Sequence, residues 1–251
     1  MSKALVYAFL FYIGSSIGWV LEVFFRRFKT SNKERKWVNP GFLSGPYLPL
    51  YGFGLCGLYA LSKLYNILPP TLPLWAEIII VFFISATVMT LLELIAGQIF
   101  ILGFKVKLWD YSTRWGNYKG IICPLFYVIW GALGTVYNYA INPYIINAID
   151  WLSRNLVFSF FIGAFFGVFF CDLVYTLNLA AKIRKLANDS KIVVRYEEFK
   201  EKVREREGKR RGRKRFWFSF LSPQNSLKEN LDECQNDSSV VVNRKVKKEK
   251  A

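Results

Sequence analysis

Histidine is absent from the 251 residues, and with it the commonest general base, the commonest metal ligand and any haem held by imidazole. Cysteine is scarce. Cys56, Cys123, Cys171 and Cys234 lie far apart and form no CxxC or zinc spacing, so neither a disulfide framework nor a metal site is indicated. No GxxxxGK run followed by Ser or Thr occurs, which leaves the chain without a P-loop for hydrolysing ATP. Acidic residues number 18 against 34 Lys and Arg, for a formal net charge of +16. From these absences no cofactor is expected, no metal, and no enzyme activity.

What is present is apolar. Hydrophobic residues make up 53% of the chain and aromatics 18%, and the charge is segregated: residues 1–181 hold 13 basic and 7 acidic side chains, residues 182–251 hold 21 and 11. An apolar body followed by a basic tail excludes a water-soluble enzyme domain, a disulfide-stapled secreted module and a chain disordered throughout. Five stretches, roughly 4–25, 46–66, 73–103, 121–141 and 155–181, are apolar enough to cross a hydrocarbon core, which takes about 20 residues as a helix. Alternation of the β-barrel kind is missing, and in lipid a helix satisfies its own backbone hydrogen bonds. The expected fold class is therefore all-α: a polytopic transmembrane helix bundle of about five spans over residues 1–181. A basic, partly helical juxtamembrane segment is expected over 182–221 and a disordered tail over 222–251.

Positive charge sets the orientation. Arg26, Arg27, Lys29, Lys33, Arg35 and Lys36 follow the first span, and Lys105, Lys107, Arg114 and Lys119 follow the third. The loop 66–72 carries no charge, and the one after span four carries only Arg154 as a cation. One topology fits throughout: N-terminus outside, five crossings, C-terminus cytoplasmic, in a cell membrane. Span three, at 31 residues, measures about 46 Å as a helix and must tilt, protrude or break, with Gly97 and Gly103 the places to do so.

The spans repeat. In two successive pairs the first helix carries an acid (Glu22, Glu93), then a basic loop follows, then an Asn and a Gly before the second helix. Gly41 to Gly52 and Gly120 to Gly131 are both eleven residues apart, each second Gly after an aromatic (Tyr51, Trp130). Span five, with Asp172, reads as a third first-helix without its partner. With the topology above this is a parallel repeat.

Glu22, Glu93 and Asp172 are the sharpest functional signal. An ionised carboxylate near mid-bilayer costs about 2.5–3.5 kcal/mol on insertion scales, so each should face protein, water or a cation rather than lipid. Small residues accompany them: Gly14 and Gly18 before Glu22; Ala86, Thr90 and Gly97 around Glu93; Gly163 and Gly167 before Asp172. Small side chains let helices approach closely and shelter a charge. Buried structural glue, or for Glu22 an interfacial pair with Arg26, is the plainer reading; a cation or proton pathway is the functional one. The Gly- and Pro-rich run from Asn39 to Gly54 (NPGFLSGPYLPLYGFG) either caps span two or folds against protein, where its backbone groups could hold an ion or an anionic group. Its counterpart contains Trp109, Asp110, Asn117 and Gly120, and Asp110 is placed to pair with Arg114 at i, i+4. In the tail, GKRRGRKR (208–215) precedes FWFSF (216–220), a basic cluster beside aromatics that suits an anionic leaflet. Charge alone permits nucleic-acid binding, but no recognition fold accompanies it.

The run from Gly18 to Glu22 (GWVLE), the stretch from Asn39 to Pro46 (NPGFLSGP), Glu93, the run from Trp109 to Ser112 (WDYS), the run from Asn117 to Cys123 (NYKGIIC) and Trp130 with Gly131 together resemble the CmpB-like family. The resemblance covers about residues 5–180. That family is described as ABC-transporter type IV permeases and has animal transmembrane relatives. The resemblance implies a permease component in which Glu22, Glu93 and Asp172, with Trp19, Asn39, Asp110 and Asn117 from the same motifs, line a substrate or ion pathway. Since the chain has no P-loop, it further implies a separate ATPase subunit meeting the basic loops Arg26–Trp37 and Lys105–Lys119. A scaffold or lipid-interacting protein is the alternative, and an integral-membrane enzyme acting on lipid ranks last.

Overall fold

The computed structural model describes residues 1–29, 39–189, 192–196 and 241–243, and the single positions 32, 33, 35, 37 and 199. The basic cluster 208–215, the aromatics 216–220 and Lys36 lie outside the described residues, as does most of the stretch expected to be a disordered tail.

Three helices are long and apolar enough to cross a membrane: Lys3–Phe28, Leu74–Gly103 and Leu156–Lys185. The first is α1 (Lys3–Phe28); the second comprises α3 (Leu74–Gln98) and a π-helical turn, Ile99–Gly103; the third lies mostly in α6 (Ser159–Asp189). Thus the overlong third span changes its winding just after Gly97 and stops at Gly103. The other two expected spans are shorter. Helix α2 (Pro49–Tyr65) has 17 residues, and α4 (Pro124–Val136) has 13 before a π-helical turn at Tyr137–Ile141. Residues 142–154, read from the sequence as loop, instead form helix α5 (Asn142–Arg154). Pro143 does not interrupt this helix, because it stands in the first turn, where a missing N–H costs nothing.

The chain divides into two compact bodies. The first comprises Met1–Trp19, Tyr47–Ala96 and Tyr111–Phe170. Its core joins Phe9 and Leu10 of α1, Tyr59 of α2, Ile149 and Leu152 of α5 and Ile162 of α6. A second cluster sets Leu61 and Tyr65 of α2 on Val81 of α3, where the Tyr65 hydroxyl also meets Ser85 Oγ at 3.0 Å. Close helix approach depends on glycine here. A methyl group at Gly18 would lie 2.4 Å from the Tyr51 ring, and one at Gly14 would lie 2.9 Å from Leu55.

The two helix pairs share detail beyond their spacing. Helices α2 and α4 both start with proline after an extended residue, Leu48 and Cys123. Gly41 and Gly120 both take the left-handed conformation, with φ of 85° and 67°. Gly52 packs on Phe11, and Gly131 on Phe82; each phenylalanine stands eleven residues before its helix's acid, Glu22 or Glu93. Phe161 stands eleven residues before Asp172, yet it is 59% exposed, and a methyl at Gly163 or Gly167 would meet nothing within 4 Å. Gly163 and Gly167 therefore do not serve helix packing among the described residues. Gly18→Ala should accordingly lower stability by about 1–3 kcal/mol through overpacking, whereas Gly163→Ala should not; unfolding midpoints of the purified chain check both.

The second body comprises Val20–Pro46, Gly97–Asp110 and Cys171–Ala251. It holds a three-stranded sheet of β1 (Val106–Lys107), β2 (Ile192–Arg195) and β3 (Val241–Asn243), in the order β1-β2-β3. Strand β1 runs parallel to β2, with Val106 opposite Val194 and Lys107 opposite Arg195, and β3 runs antiparallel to β2. A strand therefore stands inside the segment expected to be juxtamembrane and partly helical, and another inside the stretch expected to be disordered. Beside the sheet Phe42 packs on Phe100 at 4.7 Å and on Tyr196 at 5.2 Å, an apolar centre that offsets the cost of ordering these connections.

Candidate functional site

Glu93 belongs to the first body, on α3, and is 3% exposed. Its two oxygens are divided between two donors: the Tyr111 hydroxyl donates to Oε1 at 3.0 Å and Trp130 Nε1 to Oε2 at 3.1 Å. The sequence brings these donors in from separate elements. Trp130 lies two turns into α4, and Tyr111 lies in the connection between α3 and α4, stacked on Phe126 at 4.4 Å. Both donors are neutral, and among the described residues no Lys or Arg forms an ion pair with Glu93. Burial and the Glu93 charge push the Tyr111 phenol far above its usual range, so it stays a donor at any physiological pH. The sequence had singled out Glu93, Trp130 and the WDYS run, but not that one residue of each would meet.

Asn117 holds the connection that delivers Tyr111. Its amide donates to the carbonyls of Ser112 (3.2 Å) and Arg114 (2.8 Å), and its Oδ1 accepts the Gly120 N–H at 3.0 Å. Tyr111 N–H also donates to the Gly120 carbonyl at 2.9 Å. Asn117 thus supports the site through the loop instead of lining it.

Asp172 belongs to the second body, on α6, and answers the question posed by the Gly- and Pro-rich run. The backbone N–H groups of Ser44 and Gly45 donate to its Oδ2 at 3.0 and 2.8 Å, and Thr176 Oγ1 donates to Oδ1 at 3.2 Å. The anion held by those amides is the protein's own carboxylate. Asn39, 4% exposed, braces the same loop by donating to the Ser44 carbonyl at 2.8 Å. Asn39 and Asn117 therefore do the same thing in the two connections, each tying a glycine-containing turn to itself.

Glu22 is also in the second body and pairs with Arg26 one turn on, Oε1 to Nε at 2.9 Å, both side chains partly exposed. This is the pairing with Arg26 that its sequence position allowed. An exposed i, i+4 pair contributes little stability. Trp19 is half-buried on α1 in the first body. The segment around Asp110 is not helical, so the i, i+4 geometry expected with Arg114 does not arise. Asp110 is gripped instead by Lys107 Nζ at 2.7 Å and Arg195 Nη2 at 3.1 Å, all three largely buried. Arg195 was missed by sequence reading, since it lies 85 residues away in a segment expected to be juxtamembrane and partly helical. Nearby, Arg27 donates to the Arg35 carbonyl and stacks over Trp37 at 4.2 Å, so part of the first basic loop is folded onto α1.

No curated protein and no solved structure matches the chain. A family model described as "Putative ABC-transporter type IV" matches residues 9–177, which include both connections, Glu22, Glu93 and Asp172. Together with three membrane-length apolar helices, that match makes the chain a transporter-related membrane protein, and it belongs to the CmpB family of ABC-transporter type IV proteins.

Proposed function

We propose that this chain is the membrane-embedded permease component of an ABC-type transporter, catalysing no reaction itself and served by a separate ATPase subunit. The observation that supports the reading is Glu93: a carboxylate within an apolar span, withdrawn from lipid and held by two neutral donors. Such a group is expensive to insert, and structural glue could be made more cheaply from neutral side chains. With no cation paired to it among the described residues, its charge is available to a proton or to a cationic substrate. In this reading the chain is multi-pass in the cell membrane, with α2 and α4 as the two shorter crossings, the N-terminus outside and the C-terminus in the cytoplasm. That orientation puts Arg26–Trp37 and Lys105–Lys119 where an ATPase would dock, and puts the basic tail beside the anionic leaflet.

Purification of the intact chain from its native membrane in mild detergent should bring down a subunit carrying a P-loop in equal amount. In that complex, Glu93→Gln should leave assembly intact while abolishing transport by the reconstituted pair. Full transport by the Gln variant removes Glu93 from any pathway. Bound phospholipid with no ATPase would replace the permease by a non-transporting scaffold or lipid-interacting protein.

A further inference from the structure

The segment that follows α6 is folded in, not loose. Val194 and Tyr196 are buried, 0% and 1% exposed, and Phe199 is buried with them at 0%. In a chain segment this basic, such burial calls for specific partners, and two connections supply them. On the side of the α3–α4 connection, Val194 N–H donates to the Lys105 carbonyl at 3.0 Å, β2 pairs with β1, and Arg195 reaches Asp110. On the side of the α1–α2 connection, the Tyr196 hydroxyl donates to the Phe42 carbonyl at 3.2 Å while its ring lies 5.2 Å from the Phe42 ring. Phe42 stands two residues before Ser44, whose amide, with that of Gly45, holds the Asp172 carboxylate.

We propose that Arg195 and Tyr196 are positioning residues for the Asp172 site: residues 192–196 form a strap that aims the Ser44 and Gly45 amides at the carboxylate and ties that loop to the α3–α4 connection. A two-residue strand such as β1 has little stability of its own, and a glycine-containing loop loses much freedom when ordered. The strap supplies what both lack: buried side chains, a ladder and a charged pair. One consequence is mechanical. A force applied to either connection reaches Asp172 through the same few residues, so the two basic loops respond together.

The proposal deepens the permease reading at one of its own sites, but its test reads amide exchange in the intact chain, not transport, so either can fail without the other. Hydrogen–deuterium exchange is followed for the peptide covering Ser44 and Gly45, for the one covering Lys105 to Lys107, and for α2 as an internal control. Tyr196→Ala should speed exchange at Ser44 and Gly45 at least tenfold, as Asp172→Asn also should, and leave α2 unchanged. Tyr196→Phe, which keeps the ring and loses one hydrogen bond, should give a smaller rise at the same amides. Arg195→Ala should speed exchange at both connections, and Arg195→Lys should restore the larger part of the protection. Should Tyr196→Ala fail to fold, the Phe and Arg195 variants decide the matter. Unchanged protection at Ser44 and Gly45 in those variants, with loss confined to residues 192–199, would overturn the proposal.

Discussion

Replacing Asp172 by alanine is expected to cost about 2–5 kcal/mol and to free the loop from Asn39 to Pro46. The carboxylate is the acceptor for two backbone N–H groups and one hydroxyl. Thr176 can rotate its hydroxyl to another acceptor, but the Ser44 and Gly45 amides are fixed by a backbone that has left-handed Gly41 on one side and Pro46 on the other. Each amide left without an acceptor costs about 1–3 kcal/mol, and the upper end of the sum is trimmed because both amides are only part-buried. Asparagine in the same place keeps one acceptor oxygen and turns an NH₂ toward donors, so Asp172→Asn should fall between wild type and Asp172→Ala. Unfolding midpoints measure the loss, and limited proteolysis within the loop shows where it is felt. A cost under about 0.5 kcal/mol for the alanine variant would mean that those amides find acceptors elsewhere.

The second large effect concerns Glu93. Tyr111→Phe and Trp130→Phe each remove one hydrogen bond to a charged group, a loss of about 1.5–3 kcal/mol. Their effects should not add, because the two donors share one carboxylate, and the doubly substituted chain leaves a buried anion stripped of both donors. Such a chain is expected to be barely stable. Adding Glu93→Met should then recover most of the lost stability, since an apolar side chain of similar volume removes the orphaned charge. Transport should stay absent in the recovered variant. This pattern separates the two roles a buried carboxylate can have. If Glu93→Met alone, with both donors intact, proves stable and fully active, Glu93 is neither glue nor pathway.

Local features of this chain are legible in its sequence and long-range ones are not. Apolar runs dictate helices locally, so α1, α3 and α6 were legible with ends a few residues off, and the unusual length of span three foretold its change of winding near Gly97. Helix α5 was not legible, because it is too polar to read as a span and follows α4 through a π-helical turn instead of a loop. Of the site, the acids could be named because ionisable residues stand out against apolar surroundings. Their partners could not. Trp130 is 37 residues from Glu93, and Ser44 is 128 from Asp172, separations at which one-dimensional spacing carries no information about contact. The Asp110–Arg114 expectation failed for a related reason, having assumed helical geometry in a stretch where the backbone is irregular.

Composition and hydropathy by themselves determined that this is a helical membrane protein with carboxylates in its spans, Glu22, Glu93 and Asp172 among them, because insertion into lipid is decided residue by residue, by transfer energies that need no knowledge of the fold. Which carboxylate is sheltered by neutral donors, which is wrapped by backbone amides and which pairs with an arginine one turn away was decided only in three dimensions. Those outcomes depend on what the connections bring alongside each helix, and a connection's path is fixed by packing with residues such as Phe42, Phe126 and Tyr196, not by its own sequence.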